Sequence, residues 1–224
     1  MPFGDVIGHE KVKAVLSAAL RQDRVAHALL FHGDDGIGKR LMALRFAQAI
    51  QCEVEIGADH PDACGICRSC IQIESGTHPD FLLLEPDREQ VNPQIKIEQI
   101  RELEQQIIYR PLIGSRKVYI IDDADRLTLG AANALLKTLE EPPGYSVIIL
   151  VSSRPSALPA TVRSRCQSIL CSAPTRDQVE VVLRTKRGLS PQDARYLAIA
   201  TEAQIGHALI SDLEAMRTQQ DEFH

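Results

Sequence analysis

His27-Ala28-Leu29-Leu30-Phe31-His32-Gly33-Asp34-Asp35-Gly36-Ile37-Gly38-Lys39-Arg40 decides the fold class. An apolar run of strand length meets a Gly-x-x-x-x-Gly-Lys turn. Leu41, Leu44, Ala47 and Ala49 then supply apolar surface for a helix running to Gln51. A strand, a glycine-rich turn and a helix form a phosphate cradle. Gly33, Gly36 and Gly38 let the backbone turn its amides inward. Lys39 reaches the terminal phosphates, and the helix points its positive end at them. The plainer alternative is an ordinary glycine-rich strand-to-helix turn. The residue after the lysine normally gives a hydroxyl to Mg²⁺. Here it is Arg40, with five donors and no acceptor. It is unable to ligate a metal and puts positive charge where a cation belongs, although it can still pair with phosphate directly.

About eighty residues on, Lys117-Val118-Tyr119-Ile120-Ile121-Asp122-Asp123-Ala124-Asp125 is a second apolar run, ending in clustered carboxylates. It reads as a buried strand delivering acids to a sheet edge. Asp122 suits Mg²⁺ held through water. Asp123 stands where motor ATPases commonly carry a glutamate that orients the attacking water, and it is shorter by one methylene, roughly 1.5 Å. A displacement of about 1 Å at a reacting group costs on the order of a hundredfold. Asp123 and Asp125 also fit a helix-capping cluster.

Strands and helices alternate outward from these segments. The spacing predicts helices over 10–21, 39–51, 97–109 and 129–141, the last stopped by Pro142-Pro143-Gly144. Strands are expected at 28–32, 81–84, 117–122, 147–151 and 167–170. The fold class is therefore α/β, a phosphate-loop parallel sheet with helices on both faces. After Pro174 the pattern becomes wholly helical, with helices over 176–187, 191–200 and 205–216. The expected domains are 1–171, with an insertion over about 52–78, and a small helical lid over 172–224. The tail from Thr218 is polar and expected to fray.

The chain has 224 residues, is 44% hydrophobic and carries a net charge of −5, so it has room for one large core but no overall basic field for nucleic acid. Aromatics are only 4%, which argues against a base-stacking platform. No apolar run approaches the roughly 20 residues of a membrane span, and Met1-Pro2-Phe3-Gly4-Asp5 does not open a signal peptide. A cytoplasmic, reducing location is the expectation. Cys64, Cys67 and Cys70 stand at Cys-x-x-Cys-x-x-Cys spacing, with Cys52 twelve positions earlier. Four soft ligands satisfy tetrahedral Zn²⁺, which would supply the folding energy this apolar-poor segment lacks. An iron–sulfur cluster and a disulfide pair are the rivals. Cys166 and Cys171 read as buried thiols, and His27 and His32 as structural.

Four further segments carry a resemblance: Ile7-Gly8-His9-Glu10, Ala26-His27-Ala28, Ala132-Asn133-Ala134-Leu135-Leu136-Lys137-Thr138-Leu139-Glu140-Glu141-Pro142-Pro143, and Leu158-Pro159-Ala160-Thr161-Val162-Arg163-Ser164-Arg165-Cys166. In this order they resemble bacterial clamp-loader subunits of the AAA+ class, over essentially the whole chain. The family has an ATPase type, gamma/tau, and a largely non-hydrolysing type, delta-prime. Arg40, Asp123 and His207 (in Gly206-His207-Ala208-Leu209, where the lid helix often carries an arginine) are three departures that favour the delta-prime type. The resemblance implies that Arg165 acts as an arginine finger in trans on ATP held by a neighbouring gamma/tau subunit. Otherwise it is a surface arginine at a strand–loop junction. It places Ser152 and Ser153 at the family's first sensor. Gly33, Gly36, Gly38, Lys39, Asp122, Asp123 and Ser153 then make a degenerate nucleotide site, in which ATP and Mg²⁺ binding is doubtful. Cys52, Cys64, Cys67 and Cys70 hold structural zinc, which both types carry.

The implied partners are gamma/tau and delta subunits, with the sliding clamp and primed DNA reached through the complex. The family's subunits also carry a helical collar; the sequence ends at His224, just after the lid helices, so either it is a piece of a longer chain or the protein lacks the collar, and without the collar the chain is expected to be mainly monomeric. The implied role is in a DNA-directed DNA polymerase holoenzyme, with little or no ATPase activity of its own. Two alternatives remain: an active gamma/tau-type ATPase, and a zinc-bearing scaffold or nucleic-acid-binding module without a nucleotide role.

Overall fold

The computed structural model describes residues 2–54, 62–88 and 91–213. In chain order the strands are β1 Ala28–His32, β2 Phe81–Leu84, β3 Lys117–Ile121, β4 Ser146–Ser152 and β5 Gln167–Leu170. The helices are α1 Glu10–Arg21, α2 Lys39–Gln51, α3 Arg68–Glu74, α4 Ile97–Ile107, α5 Leu129–Glu140, α6 Ala160–Arg163, α7 Arg176–Arg187, α8 Pro191–Ala200 and α9 Ile205–Ile210. All strand pairs are parallel, in the order β2-β3-β4-β1-β5. This is the parallel sheet that the alternation of strands and helices predicts.

The period of two along each strand divides the core. Leu29, Phe31, Val118, Ile120, Val147 and Ile149 join Leu16 of α1 and Met42 and Phe46 of α2 on one face. Ala28, Leu30, Tyr119, Ile121, Ile148 and Leu150 join Ile100 and Leu103 of α4 and Leu135 of α5 on the other. Central strands covered on both faces need unbroken apolar runs, and every residue of β3 and β4 is buried. The C-terminal helices α7–α9, where the lid was expected, bury a separate cluster of Val179, Leu183, Ala194, Leu197 and Ala208. Two of these three helices start on side-chain caps: Thr175 with Gln178 forms a capping box, and Ser190, which precedes Pro191, accepts from the Asp193 amide.

Beyond shifts of a single residue, two helix ends fall short of the sequence reading, and one helix of the cysteine segment is additional. The helix expected to run to Tyr109 stops at Ile107, since Pro111 bars Arg110 from the helical region. The third lid helix, expected to reach Met216, ends at Ile210, with Ser211 extended. Its positions 214–216 and the tail from Thr218 lie outside the described residues. The cysteine segment contains the short helix α3, which the sequence reading missed; Cys67 Sγ accepts a hydrogen bond from the Cys70 amide at its start.

A buried carboxylate shapes the connection from α4 to β3. Asp80 accepts hydrogen bonds from the amides of Leu112 (2.7 Å), Ile113 (2.8 Å) and Gly114 (3.1 Å). Burial pushes its pKa up, but these amides together win and hold it below the ordinary carboxylate value. Its stabilisation is therefore complete above the unfolded-state value of about 4, and it is lost as pH falls through the lower folded-state value. Asp80→Asn, which turns an NH₂ toward amide donors, is expected to cost about 2–3 kcal/mol. Denaturant titration at neutral pH measures this, and the difference from the unsubstituted chain should shrink in acid.

Candidate functional site

The parallel sheet brings the C-terminal ends of β1, β3 and β4 together, the edge where ligands sit in open α/β sheets. The loop after β1 bends at Gly33, whose φ is +150° and where a Cβ would lie 2.2 Å from the Cys171 carbonyl oxygen. Only glycine lets the loop pass there. At Gly36, φ +68°, an added Cβ would press at 3.2 Å on Gln204 and His207 of the lid. The lid thus lies directly on the loop: the Gly206 amide donates to the Gly36 carbonyl at 2.7 Å, and His207 Nε2 stands 3.5 Å from Asp35 Oδ2. Buried His9 of the Gly8-His9 segment braces the loop from beneath, its Nε2 2.8 Å from the Ile37 carbonyl, and burial lowers its pKa.

The cradle's lysine is turned inward. Lys39 is buried, donates to the Asp34 carbonyl of its own loop, and reaches Ser153 Oγ at 2.9 Å. Burial lowers its pKa, against the attraction of Asp35. Ser153, expected near phosphate, accepts a hydrogen bond from this lysine.

Arg40 occupies the ground between two acids. Its guanidinium lies 2.8 Å from Glu85 Oε2 and 3.3 Å from Asp122 Oδ2. Asp122 is buried, and desolvation and the Asp123 carboxylate push its pKa up, against the pull of Arg40. A buried carboxylate needs a cation partner, and a side chain of this chain supplies it. Arg88 adds a longer approach, 4.0 Å from both Asp122 and Asp123. Glu85 and Arg88 were not read from the sequence. The signal was the place of Glu85 just past the end of β2, which pairs with β3 and so lies beside Asp122.

Asp123 is in the left-handed region, φ 47°, and its side chain makes no cap. Asp125 does not cap a helix either; it ties the end of β3 to that of β4. Its carboxylate accepts from Ser152 Oγ (2.9 Å), the Ser153 amide (3.2 Å) and Arg154 Nε (3.1 Å). These bonds lower its pKa despite its burial. The capping reading of Asp123 and Asp125 therefore does not hold: one is a strained turn residue and the other a cross-strand clamp.

Arg165 lies away from this pocket, in the turn between α6 and β5. Its Nη1 donates to the Thr161 carbonyl at 2.8 Å and its Nη2 pairs with Glu140 Oε1 at 2.6 Å. The side chain is 34% exposed. His32 Nε2 lies 2.7 Å from Ser168 Oγ, as suits a structural histidine. Burial raises Cys166 and Cys171 to about 11, consistent with inert thiols, although Cys166 is only half-buried.

The sulfur atoms of Cys52, Cys64, Cys67 and Cys70 all lie within 4.8 Å of one another. A tetrahedral zinc with bonds of about 2.3 Å sets sulfurs about 3.8 Å apart, so a small contraction would close this cluster on a metal. The backbone already favours thiolates, since the Cys64 amide donates to Cys52 Sγ (3.3 Å) and the Cys67 amide to Cys64 Sγ (3.3 Å). Burial opposes ionisation, but amide bonds from Ile66 and Cys67 and side-chain bonds within the cluster bring Cys64 down to about 7. Burial raises Cys52 and Cys70. Around the sulfurs, Gln48 Nε2 of α2 holds the Cys70 carbonyl at 2.9 Å, and Glu53 accepts from the Ser69 amide and hydroxyl, each at 2.9 Å. Four cysteines thus form a possible metal site that is braced from outside.

A family profile described as DNA polymerase III, delta subunit, matches residues 8–174. The DNA polymerase III subunit delta' of Pseudomonas aeruginosa is 41% identical over 149 residues, 66% of this chain and 44% of that one. The DNA polymerase III subunit tau of Escherichia coli is 37% identical over 212 residues, 92% of this chain and 32% of that one. The chain thus spans less than half the length of either relative. Among solved structures, a DNA polymerase III gamma subunit-related protein of Thermotoga maritima superposes with a TM-score of 0.51 at 24% identity, over 84% of this chain and 57% of that one. The fold is that of AAA+ phosphate-loop proteins. Among the described residues, no helix is long and apolar enough to cross a membrane.

Proposed function

Because this chain belongs to the DNA polymerase III delta-subunit family, we propose that it is a clamp-loader subunit of the delta-prime type. It acts as a stator that does not turn over ATP. The observation that carries this reading is the guanidinium of Arg40 between Glu85 and Asp122. A magnesium ion would need that ground and the free carboxylate of Asp122. Expelling Arg40 would break two ion pairs, and no hydroxyl follows Lys39 to replace them as a ligand. Lys39 bonded to its own loop and His207 at the lid position point the same way.

Arg165 is the finger in this reading, offered to ATP held by a neighbouring gamma/tau-type subunit. Its half-open position in the α6–β5 turn, outside the chain's own pocket, fits a role in trans. The four-cysteine cluster holds one structural zinc. The family's partners are the gamma/tau and delta subunits, with the sliding clamp and primed DNA engaged through the assembly. Residues 1–171 form the AAA+ domain and the following helices the lid.

The sequence likeness to tau over 92% of this chain keeps an active ATPase as the second reading. Steady-state hydrolysis separates the two. With Mg²⁺ and saturating ATP, the purified chain is expected to show turnover no higher than the blank, with or without primed DNA. Clear turnover, abolished by Lys39→Ala, would establish the ATPase reading instead.

A further inference from the structure

Arg165 is fixed from two sides. Its backbone amide donates to the Val162 carbonyl (3.2 Å), which closes the turn after α6. Its guanidinium donates to Thr161 O and to Glu140, the last residue of α5. A guanidinium has five N–H donors in a rigid plane. These two contacts engage one N–H on each terminal nitrogen, so they use two of the five donors. Cys166, the next residue, packs against the core beneath α4 and α5, so the turn is seated on rigid elements.

We propose that Glu140 is a positioning residue for Arg165. Its carboxylate holds the guanidinium plane so that the remaining donors point out of this chain toward a terminal phosphate on a neighbouring subunit. This inference rests on the finger reading above. A long arginine side chain otherwise samples many rotamers, and a stabilising charge acts in proportion to how well it is pre-placed before charge builds up. Glu140 is half-exposed, so its effect on folding is small. Its effect on the orientation of Arg165 is direct, because the two side chains are in contact.

The test uses a clamp loader reconstituted from full-length subunits, with primed DNA, the clamp and a range of ATP concentrations. Four forms of this subunit are compared: unsubstituted, Arg165→Ala, Glu140→Gln and the double variant. Glu140→Gln is expected to lower kcat at the site beside this subunit, read by single-turnover kinetics, about tenfold, less than the roughly hundredfold cost of a full 1 Å misplacement. KM for ATP should be unchanged, because the contact is not made to bound substrate in the ground state. The double variant should equal Arg165→Ala alone, since Glu140 acts only through Arg165. Assembly by sedimentation and the melting temperature should be the same in all forms, and Glu140→Ala should repeat the kcat loss. If Arg165→Ala lowers kcat but Glu140→Gln leaves it unchanged or raises it, the positioning role is wrong and the finger stands. A Glu140→Gln loss that persists in full on the Arg165→Ala background also overturns it. Unchanged kcat in Arg165→Ala removes the finger reading and this inference with it.

Discussion

Arg165→Ala is expected to lower the DNA-stimulated ATP turnover of a reconstituted loader by about a thousandfold at the site it serves, the lower end for arginine fingers in other NTPases. The cause is electrostatic. Phosphoryl transfer spreads negative charge over the equatorial oxygens, and a guanidinium at their edge stabilises it with two or more charge-assisted bonds. Among the described residues, the neighbouring arginine, Arg163, ends α6 two positions before Arg165 and is not in the turn that holds it. A loader with other intact sites retains their share of turnover, so the loss is read at the site beside this subunit, by single-turnover kinetics. Arg165→Lys should recover only part of the rate, since an ammonium offers a point charge in place of a planar fork. Equal rates for the unsubstituted and Arg165→Ala loaders would show that the arginine is a surface residue paired with Glu140 and nothing more.

The second large effect is expected on metal removal. The described part of the module is anchored by Ile73, which enters the main core, and by polar ties: Gln48 to the Cys70 carbonyl and to Glu74, Arg45 to Glu74, and Asp62 to the Phe3 amide at 2.8 Å. Its own apolar cluster is only Ala49, Ala63 and Cys70 with partly buried neighbours. That is too little to order the segment against its conformational entropy. Zinc would supply the difference, as structural zinc contributes roughly 10–16 kcal/mol of apparent binding free energy in small zinc domains. The purified chain should therefore release about one equivalent of Zn²⁺ when its thiols are titrated with a mercurial. Cys70→Ser, at the most buried ligand, should lower the melting temperature and open α3 and the α2 face beneath it to hydrogen exchange. Visible absorption from an iron–sulfur cluster, or a Cys64–Cys67 disulfide in protein kept reduced, would contradict the zinc assignment.

Much of this was legible in the sequence because it rests on local grammar. The strand–loop–lysine segment at 28–39 and the apolar centre of β4, Val147 to Val151, read correctly, since a strand buried on both faces needs such a run. That Arg40 is no metal ligand was legible because the chemistry of a guanidinium excludes it. Its partner Glu85 was not, because nothing local says that β2 lies beside β3. That neighbourhood is a property of sheet order. The capping reading of Asp125 failed for the same reason: the groups that Asp125 holds come from the end of β4 and just after it, 27 to 29 residues later. Helix α3 escaped notice because its seven residues are too short for a helical period and its cap is a cysteine. Glu140 was quoted as part of a family string, yet only the packing of α5 against α6 sets it 2.6 Å from Arg165.

The most direct measurement of the central claim is calorimetric titration of the purified chain with ATP, first with Mg²⁺ and then with EDTA. If Arg40 holds the ground that magnesium needs, added Mg²⁺ will not tighten binding, and any weak heat will be the same in both buffers. Binding at least tenfold tighter with Mg²⁺ would show that the ion seats itself in this pocket despite Arg40, and would contradict the account.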